Sequence, residues 1–336
     1  MIKRARNRGD TRKKRLIFSA IVFVCLFSIP SCPEPKVYRV GVLSGLSFFA
    51  GITDGFKTRM AELGYREGDN IAYDVQETDF DMAAYDRILK KFVMDKVDLI
   101  LVFPTEASQQ AKAATAGTDI PVVFANAFTE GTGLVDSVQE PGGNITGVRW
   151  PGPEIVAKSF DIWKEFLPGV KRMWIIYQRG YPIIQNQLDT LRPMAAAVNV
   201  TLMEVPANSP QELEAELEKR PGPFDADVIN MISEPLISTP QGFAVVSKFA
   251  AKHNIPLGGG PIFEGPYPSL FGLVPESIPQ GREAAFLADK ILKGTPAGTI
   301  PVITAEHVFI LNYRQAKKLN LNITEHLLGQ AEGVIR

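Results

Sequence analysis

The stretch 97–103 (VDLILVF) is a short apolar run, and the alanine-rich stretch 106–116 that follows it has the composition of a helix. The same alternation begins at 37–43 (VYRVGVL), which precedes a helical pattern over 47–63. Short apolar strands that alternate with helices are typical of a parallel sheet covered on both faces. The sequence therefore predicts an α/β fold built outward from residues 97–103.

The alternation continues to residue 126 and then starts again, with a helical pattern over 154–166 and a strand pattern over 172–177. Two similar α/β series in tandem predict two lobes with parallel sheets and one cleft between them. The remaining strand patterns cover 71–76, 121–126, 201–205, 227–232, 255–258 and 270–274, and the remaining helical patterns cover 82–94, 183–198, 210–218, 241–253 and 278–292.

The boundary between the two series is expected in 141–147 (PGGNITG), which is rich in residues that permit unusual backbone angles and is followed by 150–153 (WPGP). A hinge between lobes and an ordinary surface loop are both compatible with this composition.

The first 32 residues have the pattern of an export signal: eight Lys and Arg residues precede the 14-residue apolar segment 16–29. A bilayer-spanning helix needs about 20 residues, so a signal-peptide core is favoured. The segment ends in 29–32 (IPSC), which resembles a lipoprotein cleavage site with Cys32 as the acylated residue and Pro30 as a departure from the usual small residue. A retained transmembrane anchor and an ordinary signal cut near Cys32 are the alternatives. Each places the bulk of the chain outside the cytoplasm.

Removal of residues 1–31 leaves 28 basic and 36 acidic residues, a net charge of −8 against −1 for the whole chain. An acidic surface argues against nucleic acid as a partner. The two cysteines are Cys25, in the apolar segment, and Cys32, so no thiol is left for a disulfide, a zinc site or a nucleophile. We expect no cofactor and no metal.

Motifs of catalysis are absent from the sequence. The three histidines, His253, His307 and His326, have no metal-ligand spacing, and there is no G-x-S-x-G, Walker or G-x-G-x-x-G pattern. These absences lower the expectation of an enzyme without excluding one.

Candidate ligand residues follow the predicted strands, because open α/β sheets bind ligands at the carboxyl ends of their strands. Small, hydroxylated, aromatic and acidic side chains occur at these points, and Thr105 could either cap its own helix or help its free amides hold a ligand carboxylate. Glu234, if buried, would suit a ligand ammonium. The predicted ligand-binding residues of the first lobe are Ser44, Phe48, Phe49, Pro104, Thr105, Glu106, Ala107, Asn126 and Phe128, and those of the second lobe are Gln178, Tyr181, Glu234 and Pro261.

Several stretches in order, 119–125 (DIPVVFA), 141–148 (PGGNITGV), 166–172 (FLPGVKR), 291–294 (ILKG) and 311–321 (LNYRQAKKLNL), resemble the ABC-transporter substrate-binding family of tryptophan-type periplasmic proteins. The resemblance spans about residues 37–336. It implies a type I periplasmic binding fold, in which two Rossmann-like lobes are joined by three crossovers, here near Gly147, Pro275 and Ile300.

The resemblance divides the chain into a signal peptide (1–31), a first lobe (37–147 with 275–300) and a second lobe (148–274 with 301–336). The family's ligand loop reads Thr-Pro-Ala, so Thr105 and Ala107 are implied to contact a ligand carboxylate, whereas Glu106 replaces the proline. Glu234 falls about where the family has an acidic residue. An aromatic or branched amino acid is implied as the ligand.

The resemblance thus implies a monomeric solute-binding protein that closes around a small ligand and delivers it to an ABC permease, and the first 32 residues predict its lipid anchor. A binding protein that reports to a signalling receptor would have the same cleft, and gene neighbourhood would separate the two. An exported α/β enzyme is the third hypothesis.

Overall fold

The computed structural model describes residues 36–220 and 226–336, and Val37–Arg336 form one compact unit. The first half of the chain alternates strands and helices as far as residue 149. These elements are β1 (Tyr38–Ser44), α1 (Gly51–Glu62), β2 (Ile71–Glu77), α2 (Met82–Met94), β3 (Leu99–Phe103), α3 (Thr105–Ala114), β4 (Val122–Ala127) and β5 (Ile145–Arg149).

The second half repeats the alternation and ends in short elements. They are α4 (Gly152–Phe166), β6 (Arg172–Gln178), α5 (Ile184–Ala197), β7 (Thr201–Ala207), α6 (Pro210–Glu218), β8 (Val228–Met231), α7 (Pro235–Ser238), α8 (Pro240–His253), β9 (Leu257–Gly258), β10 (Phe271–Pro275), α9 (Ser277–Leu292), β11 (Ile303–Thr304), β12 (His307–Asn312), α10 (Tyr313–Lys318), α11 (Glu325–Gln330) and β13 (Gly333–Ile335).

Two sheets form the centres of two lobes. The first is a parallel sheet with the strand order β11-β5-β4-β3-β1-β2, and the second contains the parallel strands β7-β6-β8-β9. Strand β10 lies beside β9, because Leu270 N donates to Leu257 O at 2.7 Å, and β12 pairs antiparallel with β10. The predicted α/β architecture with parallel sheets is therefore confirmed.

Helices cover both faces of the first sheet because its strands are apolar on both sides. Val40 and Val42 pack with residues of α1 and α9, whereas Leu43 packs with residues of α2 and α3 on the other face. Helices α1 and α9 approach very closely, since a Cβ at Gly281 would lie 2.0 Å from the carbonyl oxygen of Ile52. This contact fixes the start of α9 against the start of α1.

The chain passes between the lobes three times: after Arg149, after Pro275 and after Thr304. The glycines of the stretch 141–147 form a turn with positive φ at Gly142 and Gly143, and β5 then begins at Ile145. The first crossing thus begins after Arg149, two residues beyond the predicted Gly147. The third begins after Thr304, at the end of β11 and four residues beyond the predicted Ile300.

One predicted helix is divided. The pattern over 47–63 is a 3-10 turn at Ser47–Phe49 followed by α1, so the aromatic pair of this stretch lies outside the α-helix. Among the described residues, no helix has the length and apolar composition needed to cross a membrane.

Candidate functional site

Three polar side chains line the carboxyl edge of the first sheet, on the neighbouring strands β1, β3 and β4. Ser44 ends β1 and is paired in register with Phe103, Thr105 follows β3, and Asn126 stands near the end of β4. The Ser44 Oγ and Asn126 Oδ1 atoms are buried without a hydrogen-bond partner in the protein. Buried polar atoms are nearly always paired, so this edge has hydrogen-bonding capacity for a bound molecule.

Helix α3 begins at this edge, and no side chain caps it. The Thr105 hydroxyl instead accepts a hydrogen bond from Phe128 N at 3.1 Å, so it fixes the segment that follows β4. The first-turn amides of a helix have no intrahelical acceptor and carry the positive end of the helix dipole. The start of α3 is therefore suited to an anionic group.

Asn126 has a positive φ of 47° at the point where the β4 and β5 register shifts. Such a bulge re-aims the side chain of a strand end. Pro104 and Ala107 are buried beside Thr105 and supply backbone and apolar surface to the same edge.

Glu106 and Tyr181 join the two lobes across the cleft. Tyr181 lies in the chain segment between β6 and α5. Its hydroxyl donates a hydrogen bond to Glu106 Oε1 in the first turn of α3. A second link runs from Asn186 Nδ2 to the carbonyl oxygen of Glu130 at 2.7 Å. Burial, and then the Glu106 carboxylate, raise the pKa of Tyr181 well above its usual range, with a further contribution from Glu234. Tyr181 thus lies within the electrostatic influence of one acid from each lobe.

Glu234 is 4% exposed and accepts three backbone hydrogen bonds. Leu236 N and Ile237 N donate at 2.8 and 2.6 Å, which makes Glu234 the N-cap of α7, and Gln178 N donates at 3.0 Å from the end of β6. Burial raises the pKa of Glu234 to about 7, and the three N–H donors lower it in part. This carboxylate holds the loops of its own lobe together.

The predicted aromatic residues differ in environment. Phe48 is 67% exposed, whereas Phe49 is half-buried against the main apolar core, and the two rings pack edge-on at 5.1 Å between centroids. Phe128 is half-buried, and a Cβ at Gly152 would lie 2.4 Å from its ring. Pro261 is also half-buried, in the loop after β9.

The sequence analysis did not include the polar contacts around the first crossing among the candidate site residues. Trp150 Nε1 donates to Ser233 Oγ at 3.1 Å, and Gln187 Nε2 donates to the Ser233 carbonyl oxygen at 3.0 Å. The position of Trp150 directly after the boundary stretch is the one signal that could have indicated it. Gln280, which is buried with an unpaired side-chain amide, has no distinguishing sequence context.

Arg149 ties the same crossing to both neighbouring segments. Its guanidinium bonds Glu130 Oε1 at 2.6 Å, pairs with Glu154 of α4, and donates from Nε to Thr304 Oγ1 at 3.0 Å. Arg149 is 8% exposed, whereas its partners Glu130 and Glu154 are half-buried and exposed, so the network lies at the protein surface above a buried guanidinium.

No group of His, Cys, Asp and Glu residues that could hold a metal ion is found in residues 36–220 and 226–336. The predicted lipid-attachment residue, Cys32, lies outside the described residues.

Known proteins resemble this chain in sequence and in architecture. The chain is 30% identical over 273 residues to a tyrosine-binding protein of Clostridioides difficile, an alignment that covers 80% of this chain and 76% of that protein. A conserved domain protein from Vibrio cholerae superposes with a TM-score of 0.76 at 23% identity, over 89% of this chain and 100% of that chain. An ABC domain from Streptococcus pneumoniae, solved in complex with L-Trp, superposes with a TM-score of 0.74 at 23% identity, over 88% and 100%.

These structural neighbours are type I periplasmic binding proteins, so the predicted fold type is confirmed. The sequence profile of the family described as ABC transporter substrate binding protein matches residues 41–335. The predicted resemblance is confirmed with it, and this chain belongs to the ABC transporter substrate-binding protein family.

Proposed function

We propose that this protein is the extracytoplasmic receptor of an ABC importer and that it binds an amino acid with an aromatic or branched side chain in the cleft between its lobes. It makes and breaks no bond. Its task is to hold the ligand, close around it and present the closed state to a permease.

The observation that carries the proposal is that free helix amides and a buried acid face the same cleft, with Glu106 as an additional acid in the first turn of α3. The first lobe offers the free amides of α3 beside Thr105, and the second lobe offers the buried carboxylate of Glu234. Tyr181 bonds Glu106, and Glu234 contributes to the raised pKa of Tyr181, so both acids act on the same side chain. A zwitterion satisfies such a cleft, because its carboxylate suits helix amides and its ammonium suits a buried acid.

Closure follows from contacts that exist only when the lobes approach. A ligand that bridges the lobes stabilises the closed state by its differential contacts, and Tyr181 with Glu106 adds a protein contact to the same state. The three crossings supply the hinge.

The relatives support an amino acid as the ligand, since one is a tyrosine-binding protein and another was solved with L-Trp. Residues 1–32 support export and a lipid anchor on Cys32, which would keep the receptor at the membrane near its permease. We expect a monomer.

A thermal-shift screen of residues 33–336 against the amino acids, their keto analogues, purines and simple sugars tests the proposal. Saturation at about 100-fold excess over Kd adds roughly 2.7 kcal/mol, which should raise the melting temperature by several degrees. A shift confined to aromatic or branched amino acids supports the proposal. A shift only with sugars or purines contradicts the ligand class.

The variant Glu234→Gln examines the ammonium contact in the same assay. It preserves the size of the side chain but removes the charge, so the shift with a zwitterion should fall sharply. The keto analogue, which has no ammonium, should be affected much less. An equal response of both ligands would contradict the role of Glu234 in ammonium binding.

A further inference from the structure

The segment 128–132, between β4 and β5, contacts both lobes, and we call it the strap. Two hydrogen bonds attach it to α3 of the first lobe. Phe128 N donates to Thr105 Oγ1 at 3.1 Å, and Gln109 Nε2 donates to the Thr132 carbonyl oxygen at 2.8 Å. The Thr132 hydroxyl donates to the Phe128 carbonyl oxygen at 3.0 Å, which closes the segment on itself. The strap is therefore a fixed part of the first lobe, held at the start of α3.

The other side of the strap contacts two helices of the second lobe. Asn186 Nδ2, in the first turn of α5, donates to the Glu130 carbonyl oxygen at 2.7 Å. A Cβ at Gly131 would lie 2.5 Å from the same Nδ2 atom. The Phe128 ring lies against Gly152, the first residue of α4, where a Cβ would come within 2.4 Å of the ring. The strap thus contacts the second lobe through its backbone and through an aromatic side chain.

Arg149 connects the strap to the first crossing. Its guanidinium bonds Glu130 Oε1 at 2.6 Å, and the Thr129 hydroxyl donates to the same oxygen at 3.1 Å. Arg149 is the last residue of β5, after which the chain passes to the second lobe. Because the Glu130 side chain is already held there, its carbonyl oxygen can bond Asn186 at little further cost in conformational entropy.

We propose that the strap stabilises the closed arrangement of the lobes by bonding Asn186, and that Thr105 is a positioning residue, which holds the strap from the ligand end of α3. The inference rests on the function proposed above and deepens it, because it names protein contacts that couple an occupied α3 start to closure. A ligand anion that bonds the amides of α3 also orders Thr105 and, through it, Phe128 N. Phe128 is then a contact between the lobes rather than a surface for the ligand.

Two glycines in this region allow the interlobe contact to be tested by itself. Gly131 and Gly133 have positive φ values of 71° and 65°, so alanine at either position imposes a similar backbone strain. A Cβ at Gly133 would have nothing within 4 Å, whereas a Cβ at Gly131 would meet the Asn186 amide. The two substitutions therefore differ in the approach of the second lobe and share the rest.

Calorimetric titration and stopped-flow dissociation of the full chain test the proposal, with L-tyrosine as the probe. Gly131→Ala should weaken binding roughly tenfold, because the added methyl group separates the strap from Asn186. Most of the change should appear as faster dissociation, since the closed complex is the state that loses a contact. Gly133→Ala is the matched control and should change the affinity by about twofold or less.

Asn186→Ala completes a double-mutant cycle. By itself it removes the bond to the Glu130 carbonyl oxygen and should weaken binding about fivefold. It also makes room for a methyl group at position 131. In the Asn186→Ala background, Gly131→Ala should therefore cost no more affinity than Gly133→Ala does.

Thr105→Val examines the positioning role. Valine has the shape of threonine but cannot accept the bond from Phe128 N, so L-tyrosine binding should weaken about fivefold. Thr105→Ser keeps the hydroxyl and should retain most of the affinity. In the Asn186→Ala background, Thr105→Val should lose most of its effect. An undiminished effect there would mean that Thr105 contacts the ligand directly and would overturn its positioning role.

Two results would overturn the role of the strap while the proposed function stands. One is equal binding by Gly131→Ala and Gly133→Ala, and the other is a Gly131→Ala effect that persists in full without Asn186. If no amino acid binds to the wild-type protein, the proposed function fails. The same cycle is then measured by the melting temperatures of the ligand-free variants, where coupling between positions 131 and 186 supports the strap and additive effects contradict it.

Discussion

The two lobes present different surfaces to the same cleft. At the edge of the first lobe, Ser44 and Asn126 have unpaired polar atoms and the start of α3 has free amides. At the edge of the second lobe, the Glu234 carboxylate is already bonded to three backbone amides of its own lobe. The first lobe therefore has polar groups that are still free to bond a ligand, whereas the acid of the second lobe already stabilises its own loops. If the cleft binds its ligand as proposed, ligand recognition and loop stability are separable in the first lobe and combined in the second.

Glu234→Ala should have the largest effect, because it damages both functions of the second lobe at once. It leaves the buried amides of Leu236, Ile237 and Gln178 without their acceptor, which should lower the free energy of unfolding by about 2–4 kcal/mol. Urea denaturation of the ligand-free protein measures this loss. Amino-acid binding should weaken as well.

Ser209→Ala is the corresponding control, since Ser209 Oγ caps α6 through Glu212 N at 3.1 Å in the same lobe. The loss should be about 1 kcal/mol, with ligand affinity unchanged. If Glu234→Ala were no more destabilising than Ser209→Ala, the conclusion that Glu234 stabilises the loops at the edge of the second lobe would be contradicted.

The pH dependence of the free energy of unfolding should reflect one buried acid in each lobe. Burial raises the pKa of Glu234 and of Glu283 in α9 from 4.5 to about 7, and the charge of Glu306 contributes at Glu283. In this window the folded protein binds more protons than the unfolded chain, so each group's stabilising contribution is complete below pH 4.5 and is lost as the pH rises through 7. Glu234→Gln and Glu283→Gln should each gain stability relative to wild type over that interval.

Binding should respond to one of these acids only. Ionised Glu234 favours a ligand ammonium, so the wild-type affinity for a zwitterion should increase from pH 5 to pH 7. This increase should vanish in Glu234→Gln and persist in Glu283→Gln. Titrations at several pH values check this, and the same slope in both variants would remove the distinction between the two acids.

Tyr181→Phe should have a moderate effect on affinity and a small effect on stability, because it removes the hydroxyl contact with Glu106 between the lobes. A hydrogen bond to a charged group contributes about 1.5 kcal/mol or more, so ligand affinity should fall about tenfold. Small-angle scattering should show a larger open fraction at subsaturating ligand. Tyr177→Phe removes the bond from Tyr177 to Glu204 within the second lobe, at 2.8 Å, and should leave closure unchanged.

Phe48→Ala should have the smallest effect. The side chain is 67% exposed at the rim of the first lobe, so the free energy of unfolding should change by about 0.5 kcal/mol or less. A loss of affinity in calorimetry would assign Phe48 to the ligand, and no loss would place the ligand deeper in the cleft.

The sequence predicted the strands whose composition is unambiguous. The run at 97–103 is buried throughout β3. The alternation of apolar strands and helices correctly predicted that the strands of both main sheets are parallel. It did not predict β5, because Ile145–Arg149 follows glycines that resemble a loop, nor β11, which has two residues. These strands owe their pairing to neighbours far away in the chain.

The site was predictable where position alone determines it. Ser44, Thr105 and Asn126 follow apolar strands, so their place at the carboxyl edge could be inferred. The hydrogen-bonding of Glu234 and the burial of Gln280 could not be inferred. A capped acid and an exposed acid have the same local sequence, and the burial of Gln280 depends on how α9 packs against the first sheet.

The three passages of the chain between the lobes have a consequence for how the protein can be cut or recombined. Neither lobe is a continuous segment, because β10 and β12 pair with each other beside β9 in the second lobe, while α9, which lies between them in sequence, covers the first sheet. A single protease cut at one passage would leave the lobes tethered by the other two. Exchange of one lobe between relatives would likewise require several simultaneous junctions, because a single junction would mix parts of both lobes.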